Sequence, residues 1–226
     1  MFQTLFWQPI LNLLFLFFQL FNDFGIGIIL TTVTVRTLLW PLFTQNEIVQ
    51  KKMQQIQPEI KKIQAENKKD PQKQTALLLE VYKTNKINPS FAFFFAFFQI
   101  FVIFGLFSAF TVASKADIVA KYLYPIINIQ LPISYSFLNI IDLSSPNIWL
   151  AILATISQVV HGMITLKHLR NDDPQKNMMR IFTFVFPVIF ILNFKAFKSS
   201  IFLYWIVLTV INILQTLYIR KKVNKV

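Results

Sequence analysis

Residues 25–43 form an almost entirely apolar stretch in which the one charged side chain is Arg36. A helix of this length rises about 1.5 Å per residue and can cross a hydrocarbon core of roughly 30 Å. An arginine near the middle of such a span costs at least about 2.5–3.5 kcal/mol in lipid. The stretch therefore predicts a transmembrane helix in which Arg36 faces protein or a water-filled cavity, and Arg36 is the first candidate for function.

The composition agrees with an integral membrane protein built from helices. Of 226 residues, 55% are hydrophobic and 26 are phenylalanine, which is too apolar for a soluble domain of this size. The chain has no cysteine, which excludes disulfides, thiolate metal sites, cysteine nucleophiles and a lipid-modified cysteine.

The first 22 residues are apolar but carry a polar stripe of Gln8, Asn12, Gln19 and Asn22 on one side of a helical wheel. This pattern predicts an amphipathic helix in the membrane interface. A secretory signal peptide is the alternative, but the segment has no basic start and no small-residue cleavage site.

The polar insert at 45–90 predicts a basic helical hairpin outside the membrane. Isoleucines and a methionine recur near helical spacing in its first half, and Asp70-Pro71 is typical of the start of its second helix. The predicted fold is an all-α integral membrane protein with five transmembrane helices, an N-terminal interfacial helix and this hairpin. The predicted segments are the interfacial helix 1–22, span 23–44, hairpin 45–90, span 91–110, outer loop 111–147, span 148–166, cytosolic turn 167–178, span 179–194, outer link 195–200, span 201–219 and cytosolic tail 220–226.

The distribution of basic residues predicts the orientation. The hairpin, residues 167–180 and the C-terminal tail hold 17 of the 22 lysines and arginines. The positive-inside rule places these segments in the cytosol and the N-terminus outside, as in an inner (plasma) membrane protein. Because this rule and anionic lipid account for the net charge of +12, sequence-specific nucleic-acid binding is not expected.

Polar side chains follow one face of several spans. Lipid cannot satisfy such groups, so they are expected to point inward and line a hydrated groove around the guanidinium. For any single threonine, simple helix–helix hydrogen bonding is the better interpretation. The predicted groove residues are Arg36, Thr32, Gln99, Thr155, Gln158, Trp205, Thr209 and Asn212, with His161 as a polar neighbour.

The predicted spans contain no acidic residue that could pair with Arg36. Asp23 is 13 positions away, about 20 Å along a helix, and is too distant. The arginine is therefore expected to need water or an acidic group from another molecule. No motif for catalysis, metal binding or a cofactor is present, so the protein is not expected to be an enzyme.

The chain resembles the YidC family of membrane-protein insertases over residues 5–222. Any single motif is weak, but the ordered set is specific. The matching pieces are Leu-Phe-Trp-Gln-Pro at 5–9, Val35-Arg36, Trp40-Pro41-Leu42, Gln57-Pro58-Glu59-Ile60, Tyr82-Lys83, Ile87-Asn88-Pro89, Asp173-Pro174-Gln175, Phe-Pro-Val-Ile-Phe at 186–190, and Leu203-Tyr204-Trp205 with Asn212 and Gln215.

The resemblance implies a groove open to the cytosol and to lipid and closed on the outer side. It implies that Arg36 is the groove arginine and that Tyr204 and Trp205 face a passing substrate. The implied partners are nascent membrane proteins and the lipid bilayer, with the ribosome and the Sec translocon as further candidates. The link at 195–200 differs from the family pattern, and no long basic tail or large outer domain is present. A small-solute channel or transporter and a non-translocating assembly factor are the alternative functions.

Overall fold

The computed structural model describes residues 7–113, 119, 121–129, 132–167, 169 and 175–223. Most of these residues are helical, as predicted. The helices are α1 (Gln8–Phe21), α2 (Phe24–Leu38), α3 (Trp40–Glu66), α4 (Pro71–Thr84), α5 (Pro89–Ala113), α6 (Ile148–Leu166), α7 (Gln175–Arg180), α8 (Phe186–Leu192) and α9 (Ser199–Val223). Residues 1–6, the predicted helix start at Asp173-Pro174 and residues 224–226 of the predicted tail lie outside the described part.

The apolar stretch 25–43 is not one straight helix. It divides at Leu39, where α2 ends and α3 begins, and the two helix axes are bent by 62°. Pro41 explains the break, because it has no N–H to continue the hydrogen bonding of α2 and is favoured in the first turn of a new helix. Arg36 therefore lies in the last turn of α2 rather than in the middle of a span.

Within the described residues, two helices are long and apolar enough to cross a membrane. They are α6 and the Ser199–Ile219 part of α9, and the bent pair α2 and α3 makes a third if it is one span. Two shorter apolar helical segments, Gln8–Phe21 and Phe97–Ala113, accompany them. Many large apolar side chains on the outer faces are exposed, among them Phe97, Leu153 and Ile189, and this surface is suited to contact with lipid.

One apolar core joins α1, α2, α5, α6 and α9. Leu11 and Phe15 from α1, Ile28 from α2 and Leu106 from α5 are completely buried in it. A smaller core lies between α3 and α4. In it Ile56 and Ile60, two isoleucines of the predicted pattern, are buried with Val81 of α4 and with Ile87, which lies in the loop after α4.

Asp23 fixes the turn between α1 and α2. Its Oδ1 accepts a hydrogen bond from the backbone N–H of Ile26 at 2.8 Å and caps α2, and its Oδ2 accepts one from the N–H of Leu138. Leu138 belongs to the turn between two short antiparallel strands, β1 (Ser136–Phe137) and β2 (Ile141–Asp142), which were not predicted in the 111–147 loop. Asp23 thus has a structural role and is not a partner of Arg36, as its spacing predicted.

Part of the polar stripe of α1 faces the interior of the protein. Asn12 is buried; its Nδ2 donates to the carbonyl of Tyr122 at 3.0 Å, and its Oδ1 accepts from the N–H of Tyr124 at 2.6 Å. Gln8 donates to the same Tyr122 carbonyl at 3.1 Å. The side chain of Asn12 therefore faces the protein interior, where it supplies hydrogen bonds to backbone groups of the loop.

Replacing Asn12 with leucine is expected to lower the free energy of unfolding by about 1–3 kcal/mol, because the N–H of Tyr124 loses its acceptor and the carbonyl of Tyr122 loses one of its two donors. Chemical unfolding in detergent measures the change. Gln19→Leu is the control, because Gln19 is exposed and accepts one bond, from the N–H of Asn128 at 3.2 Å. Equal losses for the two variants would contradict the assignment.

The predicted span 179–194 is irregular. A π-helical turn, Ile181–Val185, joins α7 to α8, and Pro187 lies in the first turn of α8. Proline cannot donate to the carbonyl four residues earlier, and a π-type turn on its N-terminal side accommodates that loss. In this turn Thr183 crosses α6 at Gly162, where a Cβ atom on the glycine would lie 2.3 Å from Thr183 Oγ1.

Candidate functional site

Arg36 is almost completely buried, with 2% of its surface exposed. Its Nη2 donates to Oδ1 of Asn212 and, at 3.2 Å, to Oε1 of Gln215, both from α9. The guanidinium carbon lies 3.6 Å from the centroid of the Phe43 ring. Its Nε has no hydrogen-bond partner within the described part of the chain. Neutral amides and an aromatic face thus hold the side chain without neutralising its charge.

Gln215 connects the arginine to the bend between the two helices. Its Nε2 donates to the carbonyl of Trp40 and to Oγ1 of Thr44, both at 3.4 Å. The Trp40 carbonyl lies in the first turn of α3, directly after the break. The break in the apolar stretch therefore supplies part of the polar environment around Arg36.

The predicted spans hold no acidic residue, but one from the adjacent segment shares the cavity of Arg36. Glu47, assigned to the hairpin, lines the same cavity as Arg36. The reason is the bend at Leu39, which sends α3 along the groove instead of directly away from it.

Three cavities follow one another along α6 and α9. The smallest of the three, which Arg36 lines, has a volume of about 170 Å³ and is also lined by Phe43, Asn46, Glu47 and Gln99. A second, of about 350 Å³, lies between α5, α6, α8 and α9. A third, of about 410 Å³, lies between α3, α6 and the π-helical turn. We call these three cavities together the groove; His161 lines all of them.

Seven of the nine predicted groove residues line these cavities. Six of them share the second cavity: Gln99, Thr155, Gln158, Trp205, Thr209 and Asn212. Arg36 lines the smallest one. Gln158 and Thr209 also connect α6 to α9, because Thr209 Oγ1 lies 3.2 Å from Gln158 Oε1.

Thr32 and Tyr204 line none of the three cavities. Thr32 is buried and its hydroxyl donates to the carbonyl of Ile28, one turn earlier, at 2.7 Å. Tyr204 is buried in the apolar core with its ring 5.4 Å from that of Phe110. Tyr204 follows Leu203 and precedes Trp205, so its side chain points about 100° away from that of Trp205 around the helix.

The sequence interpretation missed a polar wall that α3 contributes. Glu47, Gln50, Lys51 and Gln54 line the third cavity, at spacings of three and four residues on one side of the helix. The signal was visible in the spacing, but the insert was treated as lying outside the membrane and its polar face as solvated.

The groove changes in character along its length. Near the N-terminal ends of α6 and α9 the walls of the groove are apolar, with Ala151, Phe202 and Trp205. Near the C-terminal ends of these helices the walls of the groove are polar, with His161, Thr165 and Thr216 together with the polar side chains of α3. No group of three histidine or acidic side chains that could hold a metal ion occurs in the described part of the chain.

Apolar helices that enclose a polar groove around a buried arginine define a membrane protein with a hydrophilic interior. Residues 16–226 match the family model described as 60Kd inner membrane protein, so the chain belongs to this family, as the YidC resemblance predicted. It is similar to membrane protein insertase YidC of Geobacter metallireducens, with 28% identity over 218 residues that cover 96% of this chain and 37% of that protein. The corresponding protein of Wolinella succinogenes is 29% identical over 229 residues, covering 97% and 38%.

A solved structure supports the same fold. The crystal structure of an active YidC insertase with its first transmembrane domain resolved superposes with a TM-score of 0.58 and 24% identity, covering 96% of this chain and 46% of that one. The chain thus spans less than half the length of these relatives. The relatives are named as insertases, which agrees with the prediction that the protein is not an enzyme.

Proposed function

We propose that the protein is an insertase that takes polar tails or loops of nascent membrane proteins into the groove and releases their apolar segments into lipid. The observation that carries the proposal is the buried Arg36, whose Nε has no hydrogen-bond partner within the described residues, beside neighbouring cavities with polar lining. The family membership supports the same activity.

The groove lowers the main barrier to insertion. A polar tail that crosses lipid must give up the hydration of its charges and backbone, at several kcal/mol for each unsatisfied group. Gln158, His161 and Thr216 offer hydrogen bonds along part of that path. The tail then has a shorter dry distance to cross, and Arg36 attracts its acidic side chains.

The apolar end of the groove suits the hydrophobic segment that follows the tail. Phe186, Phe190 and Trp205 line the second cavity, and the Phe190 and Trp205 ring centroids are 4.3 Å apart. Transfer of an apolar segment from this cavity into lipid supplies the driving force through burial of its surface. No energy source other than this burial and the membrane potential is required.

The proposed topology has five spans, with the N-terminus outside and the C-terminus in the cytosol. The small core between α3 and α4 supports a hairpin that holds together outside the bundle. At the other end, the N–H of Ser199 donates to the carbonyl of Ser145 and that of Ser200 to the carbonyl of Leu143, both at 3.1 Å. In the proposed topology these bonds lie on the outer side of the bundle, which supports a closed outer end, as an insertase needs and an open channel does not. The ribosome and the Sec translocon are proposed partners on the cytosolic and lateral sides.

Site-specific photocrosslinking tests the proposal. A photoreactive amino acid in place of Trp205 is expected to crosslink to a stalled nascent membrane protein, because this side chain lines the second cavity. The control position is Val210, also on α9, which is 45% exposed and lines none of the three cavities. Crosslinks of equal yield from both positions, or from neither, would contradict a substrate path through the groove.

A further inference from the structure

The groove contains an acidic side chain of its own. Glu47 lines both the cavity that holds Arg36 and the larger cavity at the polar end, where Lys51 follows one turn later on α3. A substrate that approaches Arg36 from the polar end therefore passes a wall that carries both signs of charge. A groove built only to attract acidic tails would be weakened by such a carboxylate.

The position of Glu47 gives the carboxylate two effects. It lines the same cavity as Arg36, so its negative charge lowers the positive potential that an acidic tail meets there. It also offers a counter-charge to a basic side chain, which the arginine alone would repel. Both effects act in a partly enclosed site, where water and salt screen less than at an open surface.

We propose that Glu47 sets the charge selectivity of the groove: it weakens the capture of acidic segments by Arg36 and admits segments that also carry basic side chains. The substrate class is thus translocated tails of mixed charge rather than purely acidic tails. This inference rests on the proposed insertase function and deepens it.

The test uses three single-span substrates that differ only in a short N-terminal tail with two aspartates, two asparagines or two lysines. The purified full chain is reconstituted in vesicles of phosphatidylethanolamine and phosphatidylglycerol, and protease protection measures the fraction of tails that reach the far side. Glu47→Gln, which keeps the size and polarity of the side chain, is expected to raise the ratio of aspartate-tail to lysine-tail insertion about fivefold. The asparagine tail is the uncharged reference to which insertion of both charged tails is compared.

Glu59→Gln is the matched control. Glu59 lies on the same helix, is exposed and lines none of the three cavities, so its removal changes the net charge equally without changing the groove. If the ratio of aspartate-tail to lysine-tail insertion for Glu47→Gln is within twofold of the wild-type ratio, the proposed role of Glu47 is overturned. The insertase function is not affected by that result. If Glu47→Gln does not fold, Glu47→Ala must give the same rise in ratio. Wild-type vesicles that insert no substrate better than empty vesicles would overturn the insertase function as well.

Discussion

Replacing Arg36 with alanine is expected to reduce insertion of an acidic-tailed substrate at least about tenfold, whereas Arg36→Lys keeps most of the activity. A guanidinium and a carboxylate about 4 Å apart gain roughly 4 kcal/mol at an effective dielectric constant of about 20, before the cost of desolvation. Alanine removes this gain. Lysine keeps the positive charge but lacks the planar guanidinium that can donate two parallel hydrogen bonds. Insertion into proteoliposomes, followed by protease protection of the tail, measures the effect.

Arg180→Ala is the control for this prediction. Arg180 is exposed at the end of α7 and lines none of the three cavities, so its loss removes the same charge outside the groove. Equal activity of the wild type and Arg36→Ala would reject Arg36 as the working residue. Equal loss in Arg36→Lys and Arg36→Ala would show that the geometry around Asn212 and Gln215 matters more than the charge.

The two helices with the clearest apolar pattern were predictable almost to the residue. The expected span 148–166 is α6, and the expected span 201–219 lies within α9. Length and composition decide such helices, because a bilayer requires a continuous apolar segment with satisfied backbone. Gln158, Thr209 and Asn212, which were selected from the polar faces of the same helices, line the second cavity, since period and polarity together determine which side of a helix faces inward.

The errors concern tertiary contacts that hydropathy does not encode. The hydropathy of residues 25–43 does not reveal the break at Leu39. Pro41 leaves the mean hydropathy of the stretch almost unchanged, but it removes a backbone hydrogen bond of the helix. That break brings Glu47 into the groove and places Arg36 in a last helical turn. The burial of Asn12 depends in the same way on a partner more than a hundred residues away, Tyr122.

The close crossing of α6 and the π-helical turn depends on the absence of a side chain at Gly162. A Cβ atom there would lie 2.3 Å from Oγ1, 2.4 Å from Cγ2 and 2.7 Å from Cβ of Thr183. Gly162→Ala is therefore expected to lower the free energy of unfolding by about 1–3 kcal/mol, as overpacking does, despite the better helix propensity of alanine. Because both residues line the largest cavity, the variant is also expected to insert substrates more slowly. Chemical unfolding in detergent and the proteoliposome assay measure the two effects.

A double substitution shows whether the clash is the cause. Thr183→Gly removes all three of the contacting atoms, so in its presence Gly162→Ala is expected to cost almost nothing, giving a coupling free energy of more than about 1 kcal/mol. Thr183→Gly alone also loses the hydrogen bond from its hydroxyl to the carbonyl of Met179, at 2.7 Å, and the cycle subtracts this separate cost. Gly105→Ala is the second control, because its nearest neighbour is the flexible end of Ile10, at 3.3 Å. Additive costs for the two substitutions would mean that α6 and the π-helical turn are not held at this distance, and the polar end of the groove would then be wider than the structure shows.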